Sequence, residues 1–149
     1  MTVVDRVRPA KSTVWGWSLI ALVCALLLTS AAWLFSAVGT PAVFEADTGV
    51  SAAEFLAAYP SVAAELEGRG RTIALLVAAL AALALMTTIA GWRSGAAWTH
   101  RSLWVFAAAL LAIGASAVAS GRADVGSFHL GAGLLAAVGL LMARRHLAP

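Results

Sequence analysis

The stretch Thr72–Trp92, TIALLVAALAALALMTTIAGW, carries no charge until Arg93. It constrains this chain more than any other feature. About 20 consecutive apolar residues suffice for a helix to cross a bilayer core, and Val14–Val38, Ser102–Ser120 and Gly126–Met142 have the same character. Hydrophobic residues make up 62% of the 149 residues and charged residues only 11%. A water-soluble domain carries closer to about a quarter charged residues, so such a chain could not cover its surface in water. The sequence therefore predicts an all-α fold: an integral membrane four-helix up-down bundle, one domain over residues 1–149, with spans at 14–38, 72–92, 102–120 and 126–142.

The first apolar run follows Arg6, Arg8 and Lys11, and a positive segment before an apolar run also describes a signal peptide, with Ser30-Ala31-Ala32 as a cleavage site. Its length of about 25 residues exceeds the 7–15 of a signal-peptide core, which favours a retained span. The fourth run reaches about 25 Å at 1.5 Å per residue, enough for a bilayer core if its ends snorkel or the membrane thins.

Residues 39–71 form the one long connection, and the pattern predicts a partly helical outer loop. Ser51 and Glu54 stand at capping-box spacing, and Phe55, Tyr59, Val62 and Leu66 fall on one helical face. Pro60 interrupts that face. The expectation is two short helices or one kinked helix, ended by Gly68, with the apolar face resting on the bundle or the membrane surface. At the other end of the chain, Gly121–Val125 is barely a loop, which makes the third and fourth helices antiparallel neighbours.

Basic residues set the orientation. With the N-terminus cytoplasmic, that side holds Arg6, Arg8, Lys11, Arg93, Arg101, Arg144 and Arg145, whereas Arg69, Arg71 and Arg122 lie outside. Six acids, Glu45, Asp47, Glu54, Glu65, Glu67 and Asp124, also fall outside. Trp15, Trp17, Trp92, Trp98 and Trp104 would mark the cytoplasmic interface, and Trp33, Phe35, Phe44 and Phe128 the outer one. The net charge of +3 is too small to point to nucleic acid. The basic rim, with Arg144 and Arg145, would instead attract anionic lipid headgroups.

Association in lipid needs close packing, because lipid tails are as apolar as leucine. Small-residue faces present themselves at Ala74, Ala78 and Ala82, at Ala108, Ala112, Ser116 and Ser120, and at Ser127, Gly131 and Gly139. Of these, the third and fourth helices make the closest expected pair. No internal repeat relates the two hairpins, which gives an inverted-repeat transporter no support.

Charged groups inside a membrane mark function, and no Asp, Glu, Lys, Arg or His lies in the middle of any span. Ser18, Thr29, Ser30, Thr87, Thr88 and Ser116 are the polar groups at depth, and each can bond its own helix. Bis-histidine haem ligation would need two histidines at one depth. His100 and His129 fall nearly a membrane thickness apart, about 30 Å, and His146 trails the last span. Asp124, Ser127 and His129 supply hydrolase residue types, but residues two apart on a helix diverge; Asp124 and Ser127 read better as a helix cap. The outer carboxylates show no metal-ligand spacing. Cys24, the only cysteine, allows no intramolecular disulfide. No catalytic, cofactor-binding or metal-ligating residue is assigned.

Thr48-Gly49 and Pro60, followed by Arg93-Ser94-Gly95-Ala96-Ala97-Trp98, resemble a loosely defined group of small uncharacterised four-helix bacterial integral membrane proteins. The resemblance implies a four-span fold in a bacterial plasma membrane and no particular activity. The expected function is that of a non-enzymatic membrane subunit, structural, accessory or partner-binding, meeting a second copy or a larger membrane partner. The alternatives are a permeation component for a small neutral or apolar solute, with a cavity lined by Thr87, Thr88 or Ser116, and then a membrane redox enzyme.

Overall fold

A computed structural model describes residues 11–37, 45 and 48–144. All regular structure among them is helical: α1 (Lys11–Ala37), α2 (Ala52–Ala58), α3 (Pro60–Ser94), α4 (Ala97–Ala119) and α5 (Ala123–Ala143). Four of these, α1, α3, α4 and α5, are long and apolar enough to cross a membrane. The contacts divide the chain into two compact units, Met1–Cys24 with Leu83–Pro149, and Ala25–Ala82. The divisions fall inside α1 and α3.

In the unit that holds α4 and α5, glycine fixes how closely the helices approach. A Cβ on Gly114 of α4 would lie 2.7 Å from the Leu130 backbone nitrogen and 2.9 Å from the Gly126 carbonyl oxygen. A Cβ on Gly126 would meet the Gly114 carbonyl oxygen at 2.9 Å, and one on Gly133 would meet Leu111 Cγ at 2.8 Å. A second reciprocal pair joins α1 to α5, where a Cβ on Gly16 would fall 2.5 Å from the Gly139 carbonyl oxygen and one on Gly139 2.8 Å from that of Gly16. Such separations are out of reach for any residue with a side chain. Buried residues in α4 recur as Thr99, Leu103, Phe106, Leu110 and Gly114, the three-and-four spacing of a knobs-into-holes seam.

This corrects most of the expected faces and keeps the expected pair; of the expected small residues, Gly139 is packed and Ala74 is buried. Ala108, Ala112, Ser116 and Ser120 are exposed, as are Ser127 and Gly131. The packed faces use Gly114, Gly126, Gly133 and Gly139. In an alanine-rich chain, small residues at four-residue spacing arise on every face, so spacing alone does not select the packed one.

The connections stop the helices by backbone hydrogen bonding. Gly121 adopts φ 82°, and the Arg122 and Gly121 N–H groups donate to the carbonyls of Ala117 and Val118 at 2.9 and 3.0 Å. That is a Schellman closure, which satisfies two carbonyls left over at the end of α4. Only Ser120–Arg122 separate α4 from α5. Gly95, at φ 64°, closes α3 with its N–H on the Gly91 carbonyl at 2.8 Å.

The unit Ala25–Ala82 departs most from expectation. Gly68 does not end a helix: α3 runs unbroken from Pro60 through Ser94, and at 1.5 Å per residue its 35 residues extend about 52 Å. Pro60 occupies the first turn, where its missing N–H costs nothing. Each glycine in a helix costs about 1 kcal/mol, but ion pairs at i, i+4 bracket both, Glu65 with Arg69 and Glu67 with Arg71. Thr72 Oγ1 also donates to the Gly68 carbonyl at 2.9 Å. The Arg71 guanidinium lies 5.9 Å from the Phe35 ring centroid of α1, so the turns of α3 before Arg71 run on beyond that contact. The capping box is absent too. Ser51 makes no side-chain cap, and the Glu45 carboxylate accepts the Ala52 N–H at 3.1 Å instead. Tyr59, Val62 and Leu66 are exposed, so their apolar face does not rest on another helix.

Gly114→Ala should lower stability by about 1–3 kcal/mol, the range for overpacking a tight contact. Gly131, around which nothing lies within 4 Å, should accept alanine with unchanged or slightly raised stability, since alanine favours a helix. Unfolding both variants by increasing dodecyl sulfate in mixed micelles measures the difference; equal losses would mean that the close approach at Gly114 is not stabilising.

Candidate functional site

Thr29, Thr87 and Thr88, three of the polar groups in the spans, are engaged by the backbone of their own helices. Thr29 Oγ1 donates to the Ala25 carbonyl at 2.9 Å, Thr87 Oγ1 to Leu83 at 2.8 Å and Thr88 Oγ1 to Ala84 at 2.7 Å. Thr88 is buried, Thr87 half-buried and Ser116 exposed. Two shallow surface grooves, one on α3 and one at the α3–α4 turn, include none of these three residues.

Each described histidine spends a ring nitrogen on a carbonyl. His129 Nδ1–H donates to Val125 at 2.8 Å, one turn back on its own helix. The span read from the sequence begins at Ser102 and leaves His100 outside it, but α4 begins at Ala97 and takes His100 into its first turns. There it is half-buried, and Nε2–H donates to the Leu140 carbonyl of α5 at 3.0 Å. The Leu140 carbonyl also accepts the Arg144 N–H of its own helix, so the imidazole takes its second lone pair. The Trp104 ring meets the imidazole edge-on, with centroids 6.2 Å apart. His100 is thus a cross-helix tie between α4 and α5. His146 lies outside the described residues.

The acid, serine and histidine of Asp124, Ser127 and His129 do not converge. Ser127 Oγ donates to the Ala123 carbonyl at 2.6 Å, which also corrects its expected capping role. The residue at the cap position of α5 is Arg122, without a side-chain cap bond, while Asp124 stands in the first turn and complements the helix dipole. Among the described residues, no group of three or more His, Cys, Asp or Glu side chains could hold a metal ion.

The tryptophans divide. Trp15, Trp92, Trp98 and Trp104 are exposed, whereas Trp17 is only 2% exposed and is not an interfacial ring. Gly91 makes its place: a Cβ there would fall 2.5 Å from Trp17 Cη2 and 2.6 Å from Thr99 Oγ1. One glycine thereby lets α1, α3 and α4 meet. Trp17 Nε1 is buried without a hydrogen-bond partner.

One of the two grooves lies where α3 ends and α4 begins, and its lining includes Met86, Ile89, Ala90, Arg93 and Trp98. Its floor is apolar on the α3 side, and Arg93 and Trp98 stand at the turn. Sequence reading placed Arg93 and Trp98 at one interface but did not bring Met86, Ile89 and Ala90 beside them; the signal was the five-residue step from Arg93 to Trp98 across a glycine turn. The other groove is confined to α3, around Glu65, Gly68, Arg69, Thr72 and Ile73. Comparison with protein-family models, curated proteins and solved structures returned no match, so function is argued from these residues alone.

His100→Ala should cost about 1 kcal/mol for the lost cross-helix hydrogen bond, and His129→Ala less, because its bond stays within one helix. Thermal unfolding in detergent checks the order, and a greater loss from His129→Ala would contradict the tie.

Proposed function

We propose that this chain is a four-span integral membrane protein, and that it serves as a structural, accessory or partner-binding subunit without catalytic machinery of its own. The observation that carries the membrane reading is the composition of the outward faces. Val105 is 71% exposed, Met86 68% and Leu76 65%, each in the body of a long apolar helix. Exposed apolar surface on that scale requires a non-aqueous cover, and lipid supplies one along the whole length of a span.

The up-down arrangement with both termini cytoplasmic draws support from charge. The contacts Gly16–Gly139, Trp17–Gly91–Thr99 and His100–Leu140 gather the start of α1, the end of α3, the start of α4 and the end of α5. Those ends carry Arg93, Arg101 and Arg144, with Arg6, Arg8 and Lys11 adjoining in sequence, and basic residues favour the cytoplasmic side. Residues 39–71 then face outward. The resemblance of Arg93–Trp98 and Thr48-Gly49 to small bacterial membrane proteins supports a bacterial plasma membrane.

The subunit reading rests on how the polar groups are used. Thr29, Thr87, Thr88, Ser127 and His129 bond their own helices, and His100 bonds its neighbour. None of these side chains is held out toward a shared point, as a substrate or cofactor would require. Purification from the native membrane in mild detergent should return a stoichiometric partner subunit or a homo-oligomer. A monodisperse monomer across several mild detergents would contradict the subunit reading while leaving the membrane reading intact.

A further inference from the structure

We propose that the groove between the end of α3 and the start of α4 is a seat for one anionic phospholipid, with a phosphate at Arg93 and Trp98 and an acyl chain along Met86, Ile89 and Ala90. This rests on the membrane reading above and goes beyond a general attraction of the basic rim for lipid. Apolar and basic chemistry are ordered along the groove. Met86 and Ile89 are exposed and apolar, and the half-buried Ala90 lines the same depression one turn before Ser94. Methylene chains fit such a floor; water gains nothing there.

At the turn the chemistry changes. Arg93 is exposed, and it makes no ion pair among the described residues, whose two ion pairs both lie at Glu65–Arg71. An unpaired guanidinium presents a planar fork of donors that matches a phosphate. Trp98 is 61% exposed; an indole is apolar over its body and donates from one edge, and such rings settle at headgroup depth. The turn itself is fixed rather than loose. Gly95 holds φ 64°, Ser94 Oγ donates to the Ala90 carbonyl at 2.8 Å, and the same oxygen accepts the Ala96 N–H at 3.2 Å. Arg93 and Trp98 are therefore carried on a preorganised bend, one from each helix, beside a floor that points into the bilayer. A free phosphate would use only the turn. A lipid uses both parts, and the site is assigned to the lipid.

The test is native mass spectrometry of the full chain in mild detergent, titrated with phosphatidylglycerol or phosphatidylcholine. The expected result is one tightly retained phosphatidylglycerol, with phosphatidylcholine binding several-fold weaker. Arg93→Gln should weaken retention about fivefold, the scale of one basic residue at a membrane surface. Arg101→Gln, which removes the same charge outside the groove, should change it little. Ala90→Phe keeps every charge and fills the floor, and should weaken retention at least as much as Arg93→Gln. Excess inorganic phosphate should not displace the lipid. Equal losses from Arg93→Gln and Arg101→Gln, full retention by Ala90→Phe, or displacement by phosphate would each overturn the seat. A chain that dissolves without detergent would instead overturn the membrane reading on which the seat rests.

Discussion

The apolar outward face of the four long helices governs the rest of the structure. In water, a helix is sorted by its faces, apolar side in and polar side out. Here Val105, Met86 and Leu76 point outward and are as apolar as anything buried. Burial from water cannot then decide which face packs, and close approach with dispersion contacts must. The reciprocal contacts Gly16–Gly139 and Gly114–Gly126 are the result: backbone lies against backbone where any side chain would intrude. Gly91 does the same for an aromatic ring, opening room for Trp17 beside Thr99.

How much of this was legible in the sequence follows from the same physics. Four uncharged runs announced four long helices, and the short Gly121–Val125 segment announced the α4–α5 pair. The packed faces were legible only in part, at Gly139 and Ala74. Ala108, Ala112 and Ser116 have the right spacing and are exposed, because in an alanine-rich helix small residues lie on every side. What each packed glycine meets, whether Gly16 for Gly139, Leu111 for Gly133 or Trp17 for Gly91, lies on another helix, and pairing across helices is not a local property. Gly68 misled for a different reason. A glycine marks a helix end only where the helix stops, and here it continues into the apolar span, with the ion pairs Glu65–Arg69 and Glu67–Arg71 across Gly68 adding a few tenths of a kcal/mol each.

The functional candidates divide along the same line. Local chemistry was readable at the threonines: Thr29, Thr87 and Thr88 satisfy their own helices, as such groups commonly do in apolar surroundings. His100 was misplaced, because its role depends on a carbonyl 40 residues away. The groove at Arg93 and Trp98 depends likewise on a turn whose geometry Gly95 sets. Both lie near helix ends gathered by the packing, where basic residues concentrate.

The central claim is that α3 crosses a bilayer and continues past it, and cysteine accessibility tests this most directly. In a Cys24→Ala background, Ala64→Cys, Leu80→Cys and Ser94→Cys place single thiols along α3 for a membrane-impermeant maleimide applied to intact cells. The account predicts that Ala64→Cys is labelled at once and Leu80→Cys not at all, with Ser94→Cys labelled only after the membrane is opened. Labelling of Leu80→Cys in intact cells, or of Ala64→Cys and Ser94→Cys from the same side, would contradict it.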